Sequence, residues 1–216
     1  MRIGILGSGL MGGKLGTIFA HTGHDVVFSY ARTQKKLEKL VRDAGGNAQA
    51  GTPKEAVQNA DALLLAVHWS RLDDVLNQTG SLAGNVILTC SLPMNQADTE
   101  LVVAHTSSGA EELAKRAPGA AVVSAFGSVP SEVLFPVFEA RGTGPGPDLL
   151  YCGDDEEAKE VAAQLIRDVG FEPTDVGPLV SARYIEPFTM LIAKLAYEGG
   201  GGPRTGVPLR TIRALT

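Results

Sequence analysis

The chain opens Met1-Arg2-Ile3-Gly4-Ile5-Leu6-Gly7-Ser8-Gly9-Leu10-Met11-Gly12. Arg2–Leu6 is a short apolar run, and Leu10 begins a stretch with helical periodicity. A glycine triplet alone is weak evidence, but between a strand and a helix it has a mechanical reading. Gly7 permits a tight turn, Gly9 leaves room for a pyrophosphate to approach the backbone, and Gly12 lets the helix lie close to the strand. The helix then directs its free amides and positive dipole end at the phosphates. This turn predicts a dinucleotide site built on Gly7, Ser8, Gly9, Leu10, Met11 and Gly12.

The rest of the chain repeats the alternation. Apolar runs at 2–6, 25–29, 62–67, 85–89, 120–124, 149–152 and 171–175 alternate with helical patterns at 10–22, 34–44, 70–78, 108–116 and 155–169. The run 62–67 is apolar on both faces, as a strand of a parallel sheet covered by helices on each side should be. The expected fold is α/β: a doubly wound, Rossmann-type parallel sheet over residues 1–178. A small helical extension, 179–216, would complete a second-substrate cleft. Within it Pro187 either kinks a helix over 181–197 or delays its start. Residues 126–147, rich in Gly and Pro, read as a long loop of the active-site-lid kind. Ser108-Gly109-Ala110-Glu111 matches a capping box. Asp154-Asp155-Glu156-Glu157 places negative charge on a first helical turn, where the macrodipole favours it.

The end of the second run addresses the choice of nicotinamide cofactor. An NAD site usually carries an acid about 20 residues past the glycines, to bond the ribose hydroxyls. None occurs in Phe28-Ser29-Tyr30-Ala31-Arg32. Arg32 would instead attract a 2′-phosphate and Ser29 would bond it, with Lys35 and Lys36 one turn further on. The reading is an NADP(H) site that includes Ser29, Tyr30, Arg32 and Lys36.

Bulk properties exclude other classes. The 216 residues carry 19 Lys and Arg against 24 Asp and Glu, a net charge of −5. No basic block marks a nucleic-acid partner. No apolar run approaches the ~20 residues that span a bilayer, and no signal-peptide pattern precedes the first strand, so the cytoplasm is the expected compartment. Cys90 and Cys152 share no zinc-ligand spacing and read as buried thiols, with no metal site expected. Gly-x-Ser-x-Gly, Walker-type loops and His-Glu-x-x-His are absent.

Several stretches resemble one family. They are the opening strand and glycine turn, Gly23-His24, Ala66-Val67-His68-Trp69, Val123-Ser124-Ala125-Phe126 with Val129-Pro130, Leu150-Tyr151-Cys152-Gly153-Asp154-Asp155, and Asp175-Val176-Gly177-Pro178-Leu179 through Ala182-Arg183-Tyr184-Ile185-Glu186-Pro187. Together they resemble the NADPH-dependent oxidoreductases that exchange hydride with the deazaflavin coenzyme F420, a unit also found as the cytoplasmic domain of membrane metalloreductases. The resemblance implies hydride transfer between NADPH and a flavin-like small-molecule acceptor, F420 or a related flavin. Two positions depart from it: His68 stands where the family usually has Pro, and Gly127 where F420-handling members often have His.

In a doubly wound sheet the cleft lies past the carboxyl ends of the strands. Those ends, 7–11, 66–69, 90–93 and 125–130, add Ala66, Val67, His68, Trp69 and Ala125 to the expected cofactor contacts. Trp69, Val129, Pro130 and Tyr197 are the candidates for acceptor contacts. His68 is the candidate proton donor, since imidazole titrates near neutrality. His24 reads as structural, and His21 and His105 have no constellation around them. A homodimer through the C-terminal helix is expected. Two other readings stand beside this one. A 3-hydroxyacid-type dehydrogenase shares the Gly9-Leu10-Met11-Gly12 opening but needs a larger helical domain. A non-catalytic NADP(H)-binding protein would need only the first half.

Overall fold

Residues 1–204 are described by a computed structural model. The chain runs β1 (Arg2–Leu6), α1 (Leu10–His21), β2 (Asp25–Ser29), α2 (Gln34–Ala44), β3 (Gln49–Ala50), α3 (Pro53–Val57), β4 (Ala62–Leu65), α4 (Leu72–Thr79) and β5 (Val86–Thr89). It continues through α5 (Gly109–Arg116), β6 (Ala121–Ser124), α6 (Leu134–Ala140), β7 (Asp148–Gly153), α7 (Glu156–Val169), β8 (Glu172–Asp175) and α8 (Ala182–Tyr197). The eight strands form one sheet in the order β3-β2-β1-β4-β5-β6-β7-β8. The first six are parallel. Their order reverses direction beside β1, the arrangement that opens a crevice between β1 and β4.

Each face of the sheet has its own core. Leu15, Ile18 and Phe19 of α1, Leu37 of α2, and Ile166 and Val169 of α7 pack with Ile3, Ile5 and Phe28 on one side. Ala56 of α3, Leu72 and Val75 of α4, Leu113 of α5 and Ile185 of α8 pack with Leu6, Leu63 and Leu65 on the other. Successive strand residues point to opposite faces, so β4 (Ala62-Leu63-Leu64-Leu65) is wholly buried and wholly apolar.

The structure departs from the sequence reading in three places. β7 pairs with β6 antiparallel, Val123 opposite Gly153 and Ser124 opposite Cys152, while β8 is parallel to β7. β3 and α3 are additional elements; α3 begins with a complete capping box between Thr52 and Glu55 and with Pro53 at its first position. The segment 126–147 is not a structureless lid. It holds a 3₁₀ turn, Ser131–Val133, and α6, whose Leu134 and Phe138 are buried. α8 runs from Ala182 through Pro187 to Tyr197, the extent expected for it, and Pro187 does not delay its start. Residues 205–216 of the expected extension lie outside the described residues. Among the described residues no helix is long and apolar enough to cross a membrane.

Candidate functional site

The ends of β1, β4, β5 and β6 open onto one edge of the sheet, because these strands are parallel. At the centre is the glycine turn. Gly7 has φ +112°, and a Cβ there would lie 2.5 Å from the Ala66 carbonyl oxygen. A Cβ on Gly12 would lie 2.0 Å from the Gly7 oxygen. Both glycines therefore let backbone meet backbone. Gly9 differs: nothing lies within 4 Å of its missing Cβ. It is the N-cap of α1, and the first helical bond runs from Gly13 N–H to its carbonyl, 3.1 Å. The amides of Leu10, Met11 and Gly12 precede that bond and are the orphan donors of the helix end. Leu10 is 73% exposed and covers nothing.

Ser8 turns inward instead. Its hydroxyl donates to the Ser29 carbonyl at 2.8 Å and its amide to that of Tyr30 at 3.2 Å. Ser29 is 0% exposed, and its hydroxyl donates to the Ile5 carbonyl at 2.7 Å. The pair stitches the end of β1 to the end of β2. Ser29 therefore offers no free hydroxyl to a phosphate outside the sheet, a correction to the sequence reading; backbone register decides where it points. Arg32, Lys35 and Lys36 are exposed beyond β2. Tyr30 takes a left-handed φ of 55° and donates its hydroxyl to Asp74 in the first turn of α4. Burial, followed by the bond to Asp74, pushes its phenol up to about 12.

Ala66 and Val67 are half-buried at the end of β4, and the Val67 amide donates to Ser91 Oγ at 3.2 Å. Ala125 is 2% exposed and packs in the core. His68 caps the 3₁₀ turn Trp69–Arg71: its Nδ1 accepts from the Ser70 amide at 3.2 Å. That assigns the ring proton to Nε2, which donates to Asp98 Oδ1 at 3.0 Å. Both ring nitrogens are thus engaged, an arrangement better suited to holding two loops together than to releasing a proton. Trp69 packs with the α3–α4 side, and the Arg116 guanidinium lies 5.6 Å from its ring centroid. Val129 packs with the opposite core.

The acceptor candidates therefore separate. Val129 and Pro130 line a cavity of about 1100 Å³ with Phe188 and Ile192 of α8, bordered by Arg141 and Arg167. Tyr197 reaches the neighbouring turn, donating its hydroxyl to Glu132 at 3.2 Å. Trp69 belongs to the other face, because the chain leaves β4 toward α4.

Sequence reasoning missed three contributors. Lys14 of α1 donates to the Ser131 carbonyl at 2.8 Å, tying the helix to the turn after Pro130. Glu186 of α8, 3% exposed, accepts the Gly109 and Ala110 amides at 2.8 and 3.1 Å. Burial pushes its carboxyl up to about 7, against the pull of those two amides. The third is Asp98. At Ser108 only half of the expected capping box forms, because Glu111 turns its carboxylate to Arg183, 2.6 Å away. Burial pushes the thiols of Cys90 and Cys152 each up to about 12. Among the described residues no group of three His, Cys, Asp or Glu could hold a metal. His24 is bound to Asp168 at 2.8 Å and packs edge-on against Phe19, a structural role.

Residues 2–93 match the family described as NADP oxidoreductase, coenzyme F420-dependent. The metalloreductase STEAP3 of Rattus norvegicus is 31% identical over 185 residues, covering 86% of this chain; the chain spans only 36% of that protein's length. The F420-dependent NADP reductase of Methanocaldococcus jannaschii is 28% identical over 209 residues, 90% of this chain and 92% of that one. A crystal structure of a putative F420-dependent NADP-reductase from Arthrobacter sp. FB24 superimposes with a TM-score of 0.85 over 98% of this chain and 100% of that chain, at 19% identity, and so shares the fold. The match over residues 2–93 and the likeness to the two relatives across most of the chain support a resemblance to the NADP oxidoreductases described as coenzyme F420-dependent.

Proposed function

We propose that this chain binds NADP(H) across the ends of β1 and β2 and exchanges hydride with a planar, flavin-like acceptor, a deazaflavin or flavin. The observation that carries the reading is the open backbone at Gly9, with orphan amides beside it and Arg32 exposed just past the end of the adjacent strand β2. The fit is specific: Gly7 and Gly12 are glycines because backbone fills their Cβ positions, Gly9 because something else must. The bound nicotinamide would supply the hydride; the residues of the chain bind, orient and exclude water. The amides of Leu10, Met11 and Gly12 would take the pyrophosphate, and Arg32 with Lys36 the 2′-phosphate. The cavity at Val129 and Pro130 borders the carboxyl end of β6, and its Phe188 and Ile192 wall suits a flat aromatic ring. The relatives named above act on F420 or metal by their names, and this supports a small-molecule electron acceptor. Tyr184, Leu191 and Leu195, exposed along α8, support the reading of a homodimer through that helix.

One spectrophotometric panel tests the reaction. NADPH is mixed with the protein and F420, FMN, FAD, a quinone or ferric chelate, and the nicotinamide absorbance is followed. Turnover with F420 or a flavin is expected. NADPH binding without oxidation by any acceptor would instead make the chain a binding protein.

A further inference from the structure

Tyr30 is the first residue after β2, and Asp74 lies in the first turn of the helix after β4. β2 and β4 are the two neighbours of β1. The Tyr30–Asp74 hydrogen bond therefore spans the end of β1, beside the glycine turn that β1 feeds. The residue is held unusually. Its φ of 55° is a conformation that a bulky side chain rarely adopts, and such a backbone points to a role for the side chain's direction. The half-buried ring packs against the apolar cluster on the α4 face, as Val67 and Trp69 also do. Asp74 is itself braced, its Oδ1 accepting from Gln78 Nε2 at 3.3 Å. Two residues on from Tyr30, Arg32 is exposed. A group bonded to Arg32 through a 2′-phosphate would carry its base toward the Tyr30 ring.

We propose that Tyr30 forms the stacking wall of the adenine subsite and that Asp74 is the positioning residue that holds it there. This rests on the NADP(H) reading above. The ring supplies a π-face to the base, and the bond to Asp74 fixes its orientation before the ligand arrives. With the phenol pushed up by burial and by Asp74, the hydroxyl remains a donor at every working pH.

Binding of adenosine 2′,5′-bisphosphate, NADPH and reduced nicotinamide mononucleotide is measured by calorimetry for wild type, Tyr30→Ala, Tyr30→Phe, Asp74→Asn and the Tyr30→Phe/Asp74→Asn double variant. Thermal melts accompany each variant. Tyr30→Ala is expected to weaken both adenosine ligands about tenfold. Tyr30→Phe, which keeps the ring but loses the bond, is expected to weaken them about threefold, and Asp74→Asn, which leaves a neutral amide oxygen as the acceptor, about twofold. The double variant should be no worse than Tyr30→Phe, because once the phenol hydroxyl is gone residue 74 has no bond to Tyr30 left to weaken. The mononucleotide, which lacks adenosine, should bind all five proteins alike. Wild-type affinity in Tyr30→Phe and Asp74→Asn overturns the positioning role. Tighter binding in either overturns the wall, since the bond would then be closing the subsite. If wild-type protein binds neither adenosine ligand, the NADP(H) reading itself fails.

Discussion

His68 Nε2 lies 3.0 Å from Asp98 Oδ1, across 30 residues of sequence, while His68 Nδ1 is taken by the Ser70 amide. The imidazole joins the turn after β4 to the segment between β5 and α5. Asp98 sits at φ 55° in the loop bridged by Met94 and Leu101. A residue tied at both nitrogens orders a loop. His68→Ala is therefore expected to raise KM for NADPH or acceptor several-fold and to leave kcat within about threefold, because it removes binding and not a transition-state contact. Asp98→Ala should reproduce that split. Steady-state kinetics of both variants check this; a large fall in kcat with unchanged KM would restore His68 as proton donor.

The glycines of the first turn should separate by role. Gly9→Ala meets no atom within 4 Å, so it should melt near wild type yet bind NADPH at least about tenfold more weakly. Gly12→Ala would press a methyl to 2.0 Å from the Gly7 oxygen. It should force α1 off the sheet and cost several kcal/mol, as overpacking at a backbone contact does. Thermal melts paired with NADPH titrations distinguish them, and a destabilised Gly9→Ala with intact binding would contradict the assignment.

Glu186 should make stability depend on pH. Its carboxyl is raised from 4.5 to about 7 in the folded chain, chiefly by burial. The folded state thus holds the proton more tightly than the unfolded state. Stability from this group is fully present below about pH 4.5 and is lost as pH rises toward 7, by about 2–3 kcal/mol. Glu111, which also raises it, is balanced locally by Arg183. In Glu186→Gln the titrating group is gone. Urea unfolding of wild type and variant at pH 4.5, 6 and 7.5 should show the stability gap shifting in the variant's favour as pH rises. A gap constant with pH would mean that the amides of Gly109 and Ala110 keep the carboxylate ionised throughout.

Much of this architecture is written in local pattern. β1, β2, α2 and α7 are strongly periodic or carry caps, and α2 and β2 lie where the periodicity placed them. β3 is two residues long and both are exposed, so no alternation could reveal it. α3 was readable, since Thr52-Pro53-Lys54-Glu55 is a capping box followed by only one more turn. α6 was hidden by Pro136 and by the glycines around it. The direction of β7 is set by how α6 returns the chain to the sheet, which no residue of β7 records. At the site, the strand–glycine–helix turn was legible because its geometry is local. The pairings of His68 with Asp98, Tyr30 with Asp74 and Glu186 with α5 join residues 30, 44 and 77 positions apart. Only the folded topology brings them together. Ser29 was misread for a related reason: its hydroxyl serves Ile5 across the ladder, and register is not visible in one strand.

The central claim is an NADP(H) site with Arg32 at its 2′-phosphate. Calorimetric titration of wild type and Arg32→Ala with NADPH and NADH tests it most directly. One charge-assisted bond to a phosphate contributes about 1.5–3 kcal/mol, so wild type should prefer NADPH by at least about tenfold, and Arg32→Ala should lose that preference with NADH binding unchanged. Equal dissociation constants for the two cofactors in the wild type would contradict the claim.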